Sequence, residues 1–144
     1  MRLHLASDHA GFTLKTALAQ HLARQGHDIA DHGTYSQQSC DYPEFAVKLC
    51  EAVVASGEWG ILVCGTGVGM SMVANRMPGI RAALCTCEFQ ARATRQHNNA
   101  NVLCLGERVI GSELAFSIVD AFLAAEFEGG RHQRRIDLFP TPRG

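Results

Sequence analysis

Short apolar runs alternate with stretches of helical periodicity from one end of this chain to the other, and that alternation constrains the fold more than any other feature. Leu3-His4-Leu5-Ala6 reads as a strand, followed by a helix from about Phe12 to Arg24 with Leu14, Leu18 and Leu22 four apart. Gly26 ends that helix, and His27 to Asp31 make a second strand. A polar loop through Ser39 reaches Asp41-Tyr42-Pro43, where proline suits the first turn of a helix. That helix carries Ala46, Leu49, Cys50, Val53 and Val54 on one face and stops near Gly57. Trp59 to Cys64, Ile80 to Cys85 and Val102 to Leu105 predict three more strands, with helices over about 69–76, 88–97 and 112–125.

Five βα units in series imply one parallel sheet with helices on both faces, because each crossover must be right-handed. The strands lack clean alternation, as strands buried on both sides should. The expected fold is an α/β, Rossmann-like three-layer sandwich, a single domain over 1–144 with a five-stranded parallel sheet. A length of 144 residues, 47% of them hydrophobic and 19% charged, suits one real core. The formal net charge of -1 offers no basic field for nucleic acid, and no apolar run reaches the roughly 20 residues of a membrane span. The opening Met1 to Ala6 is too short for a signal peptide, so a cytoplasmic location is expected. Six cysteines stand at 40, 50, 64, 85, 87 and 104, without a Cys-x-x-Cys pair or metal-ligand spacing. Most are expected to pack as small hydrophobes.

In such a fold ligands bind beyond the carboxyl ends of the strands, so the chemistry is sought in the loops there. The third strand runs into Cys64-Gly65-Thr66-Gly67-Val68-Gly69 and then a helix. Alternating glycines let successive N–H groups point into one concavity, and the helix N-terminus adds positive potential. A cysteine opening this loop sits where thiolate is stabilised. Met70 stands where a dinucleotide fingerprint needs its third glycine, although Glu88 lies where a ribose-binding acid would. Asp8-His9 ends the first strand and can shuttle protons, or cap the helix that follows. Arg95-Gln96-His97-Asn98 ends a helix before a buried strand, where His97 is either functional or a dipole partner. In Arg131-His132-Gln133-Arg134-Arg135, helical spacing would put Arg131 and Arg135 on one face as a phosphate clamp. His4, His21 and His27 read as ordinary surface or strand histidines.

Taken in order, these motifs resemble the type B ribose-5-phosphate isomerases, a group that includes allose- and galactose-6-phosphate isomerases. The resemblance runs from Ser7-Asp8-His9-Ala10-Gly11 through Gly33-Thr34, Asp41-Tyr42-Pro43, the Cys64 loop and Arg95–Asn98 to Arg131–Arg135. It implies aldose–ketose isomerisation through a cis-enediolate with no metal and no cofactor. It casts Cys64 as the base between C1 and C2, Thr66 as its assistant, and His97 with Asp8 as the ring-opening groups. The N–H groups of Gly65, Thr66, Gly67, Val68 and Gly69 would hold the enediolate oxygen. Tyr42 and Asn98 would line the sugar, while His9, Arg108, Arg131, His132 and Arg135 would bind substrate and its phosphate. A second subgroup replaces the cysteine by a glutamate at the position that Met70 holds here, so the cysteine-base branch is indicated. The resemblance further implies a homodimer, or a dimer of dimers, with shared active sites. The His97–Arg108 segment would reach across, and the segment of about 129–144 would pack at the interface. A six-carbon sugar phosphate substrate and a nucleotide-binding regulatory module around Glu88 stand as alternatives.

Overall fold

The computed structural model describes residues 1–142; of the C-terminal interface segment expected over 129–144, the last two positions lie outside the described residues. The elements follow in the order β1 Arg2–Ser7, a 3-10 turn His9–Gly11, α1 Phe12–Arg24, β2 Asp28–Asp31, α2 Tyr42–Ser56 and β3 Trp59–Cys64. They continue with α3 Val68–Ala74, β4 Ala82–Leu84, α4 Glu88–Asn98, β5 Val102–Gly106, α5 Ser112–Ala124 and α6 Arg131–Ile136. The expected α/β sandwich is present, with all strand pairs parallel in the order β2-β1-β3-β5-β4. Along β1 the side chains alternate between two cores. Leu3 and Leu5 join α1, α4 and α5 through Leu14, Leu18, Leu22, Ala91, Ile118 and Phe122. Ala6 joins α2 and α3 through Leu49, Val53, Met70 and Ala74. Each fully buried leucine contributes on the order of 2 kcal/mol, so the two layers together hold the sheet between them.

The fourth strand is shorter than the apolar run Ile80 to Cys85 predicts. It is an edge strand paired only with β5. At its start the Arg81 N–H donates to the Asn101 side chain, at 2.9 Å, instead of to a neighbouring strand. The insertion of β5 between β3 and β4 matters more. It sets Cys64 opposite Gly106, while Ser7 lies opposite Val63. The carboxyl ends of β1, β3 and β5 therefore form one rim.

A buried charge pair locks α1 to that sheet. Lys15 is 1% exposed and its ammonium donates to both Asp31 oxygens, at 2.7 and 2.9 Å, and to the Thr34 carbonyl. Asp31→Ala would strand the ammonium with a single carbonyl. A loss of about 3 kcal/mol is expected, read as a fall in denaturant midpoint at unchanged slope. A loss below about 1 kcal/mol would show that Lys15 finds water instead.

Candidate active site

Cys64 ends β3 and is buried, and the Gly67 N–H donates to its sulfur at 3.1 Å. The loop can make that contact because Gly67 takes a left-handed φ of 78° and lies against the Leu105 backbone, where a Cβ would come within 3.0 Å of the Leu105 carbonyl carbon. The sulfur faces the start of α3, and Val68 N–H donates to Thr66 Oγ1 at 3.3 Å. Tyr42, the first residue of α2, lays its ring over Gly69 so closely that a Cβ there would meet it at 2.6 Å. Arg108 crosses Gly65, its guanidinium 3.4 Å from where a Cβ would stand, and its own N–H bonds the Gly65 carbonyl. Asp8 is buried and its Oδ1 accepts the Gly11 N–H at 3.1 Å, so it caps the 3-10 turn that opens α1. His9 Nδ1 accepts the Cys40 N–H at 3.2 Å, which leaves Nε2 as the protonated, outward-facing nitrogen of the neutral ring.

Asp8, His9, Tyr42, Cys64 to Gly69 and Arg108 thus belong to the rim. The remaining expected residues do not. His97 and Asn98 end α4, which runs back from the rim to the start of β5, and β5 alone separates the two ends by roughly 15 Å. The His97–Arg108 segment expected to reach across contains β5, which leaves Arg108 on its own chain's Cys64 loop and His97 at the far end of the sheet. Asp8 likewise sits on the rim, apart from His97 of the same chain. Arg131, His132 and Arg135 lie on α6, which is helical as their spacing predicts and packs against α4. His97 and His132 stack with ring centroids 4.3 Å apart and planes 13° from parallel. Glu128 Oε1 lies 3.8 Å from His97 Nε2 and 3.4 Å from His132 Nε2. Desolvation, then the neighbouring His97 and Arg131, pushes the His132 imidazole below its ordinary pKa, against the opposing pull of Glu128. These three side chains could be read as metal ligands by proximity. Nearly parallel rings, however, aim their in-plane lone pairs side by side and not at a common point, so the arrangement is not a preformed chelate.

The end of α4 is fixed by a charged anchor. Arg95 stacks on Trp59 at 3.8 Å and donates to Asn99 Oδ1 and the Ala100 carbonyl, while Arg81 holds the Asn98 and Asn99 carbonyls. A cavity of about 630 Å³ opens here, between Arg81, Thr94, Asn98, Ile136 and Phe139, remote from the Cys64 loop. Glu88 heads α4 beyond β4, with β5 between it and the glycine loop. The loop itself crosses the end of β5, since a Cβ on Gly67 would meet the Leu84 side chain at the end of β4 at 2.6 Å, so strand order alone does not part Glu88 from the loop.

Three features lie beyond the sequence reading. Glu107 Oε1 accepts the Leu14 N–H at 2.6 Å and fills the N-terminus of α1. His4 is no ordinary strand histidine: it is buried, with Nδ1 2.8 Å from His32 Nε2 and Nε2 2.6 Å from Glu58. Its one visible signal is a polar residue inside an apolar run. Glu128, whose N–H bonds the Gln96 carbonyl, carries no local signal at all. Cys50, Cys85 and Cys104 are buried as packing residues, and burial pushes the Cys50 and Cys85 thiols up to about 12 and raises Cys104 as well, whereas Cys40 and Cys87 are partly exposed. No helix among the described residues is long and apolar enough to cross a membrane.

Residues 3–139 match the family model described as Ribose/Galactose Isomerase. The chain is 49% identical over 138 residues to ribose-5-phosphate isomerase B of Escherichia coli, covering 94% of this chain and 92% of that protein. The solved ribose-5-phosphate isomerase B of Clostridium thermocellum superposes with a TM-score of 0.94 at 49% identity, covering 95% of this chain and 93% of the other. That of Mycoplasma genitalium, solved with bound ribulose-5-phosphate, gives a TM-score of 0.90 at 47% identity over 94% of this chain and 91% of its own.

Proposed function

The chain belongs to the ribose/galactose isomerase family, and from that premise we propose that it interconverts ribose 5-phosphate and ribulose 5-phosphate with Cys64 as the base. The observation that carries this reading is the Gly67 N–H directed at the Cys64 sulfur. Ring opening comes first, because only the open aldehyde has an acidic C2 proton. As the C1–O4 bond breaks, His97 moves a proton from the C1 hydroxyl to the ring oxygen. Cys64 then takes the C2 proton as thiolate and returns it to C1, while Thr66 serves the proton moving between the two oxygens. The enediolate oxygen is held by backbone N–H groups of residues 65–69, where one lost donor typically costs about 100- to 1000-fold.

His97 and Cys64 act on one sugar only if two copies of the chain combine, each offering its rim to the other's α4–α6 end. In that arrangement Tyr42 and Arg108 of one copy face Asn98, Arg131, His132 and Arg135 of the next, with His9 and the arginines around the phosphate. Phosphate held by forked guanidinium groups fixes C1 and C2 over the sulfur.

The substrate assignment is tested by steady-state rates on ribose 5-phosphate and allose 6-phosphate. We expect kcat/KM to be at least about tenfold higher for the five-carbon sugar, one methylene-sized difference being worth roughly 10- to 200-fold. The opposite ranking would overturn the five-carbon assignment and favour the six-carbon reading. Activity on neither would overturn the function itself.

A further inference from the structure

We infer that Glu128 is a positioning residue for ring opening: its carboxylate holds the stacked His97–His132 pair as a one-proton unit that presents His97 to the sugar. The inference rests on the reading of His97 as the ring-opening group. Glu128 is tied by its main chain: its N–H donates to the Gln96 carbonyl at 3.0 Å, which sets the residue at the end of α4 beside His97. One oxygen faces both Nε2 atoms, at 3.8 and 3.4 Å. The rings lie face to face, at 4.3 Å and 13°.

Two imidazolium ions cannot share that stack cheaply, because the like charges would lie within van der Waals contact. One carboxylate balances one positive charge. The two members are also unequal. His132 is buried, whereas the His97 side chain is 45% exposed. Burial and the neighbouring cations disfavour charge on His132. His97 is therefore the member that a sugar can reach. The charged groups acting on His132 besides Glu128 are Arg131 and Arg135 on α6, whereas on the neighbouring turn Arg81 bonds the Asn98 carbonyl and Arg95 stacks on Trp59. Among the described residues, Glu128 is the carboxylate within 4.0 Å of either ring. Without it the pair would sit among cations only, and the proton used in ring opening would be held less firmly.

The test compares two reactions of the same enzyme. Net turnover of ribose 5-phosphate, a cyclic sugar, needs ring opening. Deuterium uptake from heavy water at C1 of ribulose 5-phosphate does not, since its C5 oxygen carries the phosphate and cannot close a furanose on the C2 carbonyl. For Glu128→Gln we expect turnover of ribose 5-phosphate to fall about tenfold in kcat with KM within about twofold. Uptake of deuterium at C1 should stay within about twofold of the parent. The limb of the pH–rate profile that reports the stacked pair should move to lower pH, because a lost carboxylate disfavours the protonated form.

Unchanged turnover with an unmoved limb, or equal losses in both reactions, would overturn the role of Glu128. His97→Asn run alongside separates the two ideas. If His97→Asn slows only the cyclic substrate while Glu128→Gln changes nothing, the positioning role alone fails. If His97→Asn harms both reactions equally, the ring-opening reading of His97 fails with it. Glu128→Asp withdraws the carboxylate by one methylene, and the same measurements on it decide the matter should the glutamine variant not fold.

Discussion

Cys64→Ala is expected to lower the interconversion of ribose 5-phosphate and ribulose 5-phosphate by at least about 1000-fold while leaving substrate affinity within a few-fold. The proton at C2 is far less acidic than any thiol, so the reaction depends on a base placed against it and on the N–H groups that stabilise the enediolate. Alanine removes the base and leaves the N–H groups. No neighbour can take over. Met70, at the position where the glutamate branch of the family carries its base, is an apolar side chain buried completely between α3 and the sheet. Binding should persist because the groups assigned to the phosphate lie on Arg108, His9 and α6, whereas the sulfur is hydrogen-bonded by the Gly67 N–H. Deuterium uptake at C1 of ribulose 5-phosphate and calorimetric titration with the same ligand give the two halves of this result. Measurable exchange in the alanine variant would remove Cys64 from the role of base.

Two inactive variants mixed together are expected to recover about a quarter of the parent activity. In a dimer whose sites each combine the rim of one chain with the α4–α6 end of the other, a Cys64→Ala chain paired with a His97→Asn chain makes one doubly defective site. The other site of that pair is intact. Random exchange yields half heterodimers, and half of their sites are whole. The recovery would follow the rate of subunit exchange after mixing, and it should vanish when both substitutions are placed on one chain and mixed with itself. No recovery after complete exchange would mean that each chain builds its site alone. That would contradict the separation imposed by β5, which leaves Cys64 and His97 at opposite ends of the same sheet.

How much of this could be read from residue order differs by element. Helices with leucines four apart and strands with unbroken apolar runs are local patterns, so α1, β3 and α5 were legible to within a residue or two. The glycine loop was legible because Gly67 needs a left-handed φ that few other residues accept. The strand order was not. Whether β5 pairs beside β3 or outside β4 is decided by how helices on two faces share the sheet, and no short window of residues encodes it. For the same reason the sequence offers candidate site residues but not their division between two ends of the molecule. His4 illustrates a different loss. Its partners, His32 and Glu58, come from elements 28 and 54 residues away, so the buried network exists only after β1 is flanked by β2 and β3. Glu128 is legible from neither pattern nor motif, since it follows the last turn of α5 and meets its histidines only through the docking of α6 on α4.

The carboxylate of Glu107 has a consequence for ligand choice. In dinucleotide-binding relatives of this architecture the N-terminus of the first helix is the seat of a pyrophosphate. Here the chain has seated one of its own anions there, at 2.6 Å from the Leu14 N–H. A nucleotide seated there would compete with a carboxylate that is covalently tethered and always present. The helix end that seats a pyrophosphate elsewhere is thus occupied by the chain itself, in keeping with the assignment of the substrate's phosphate to guanidinium groups proposed above.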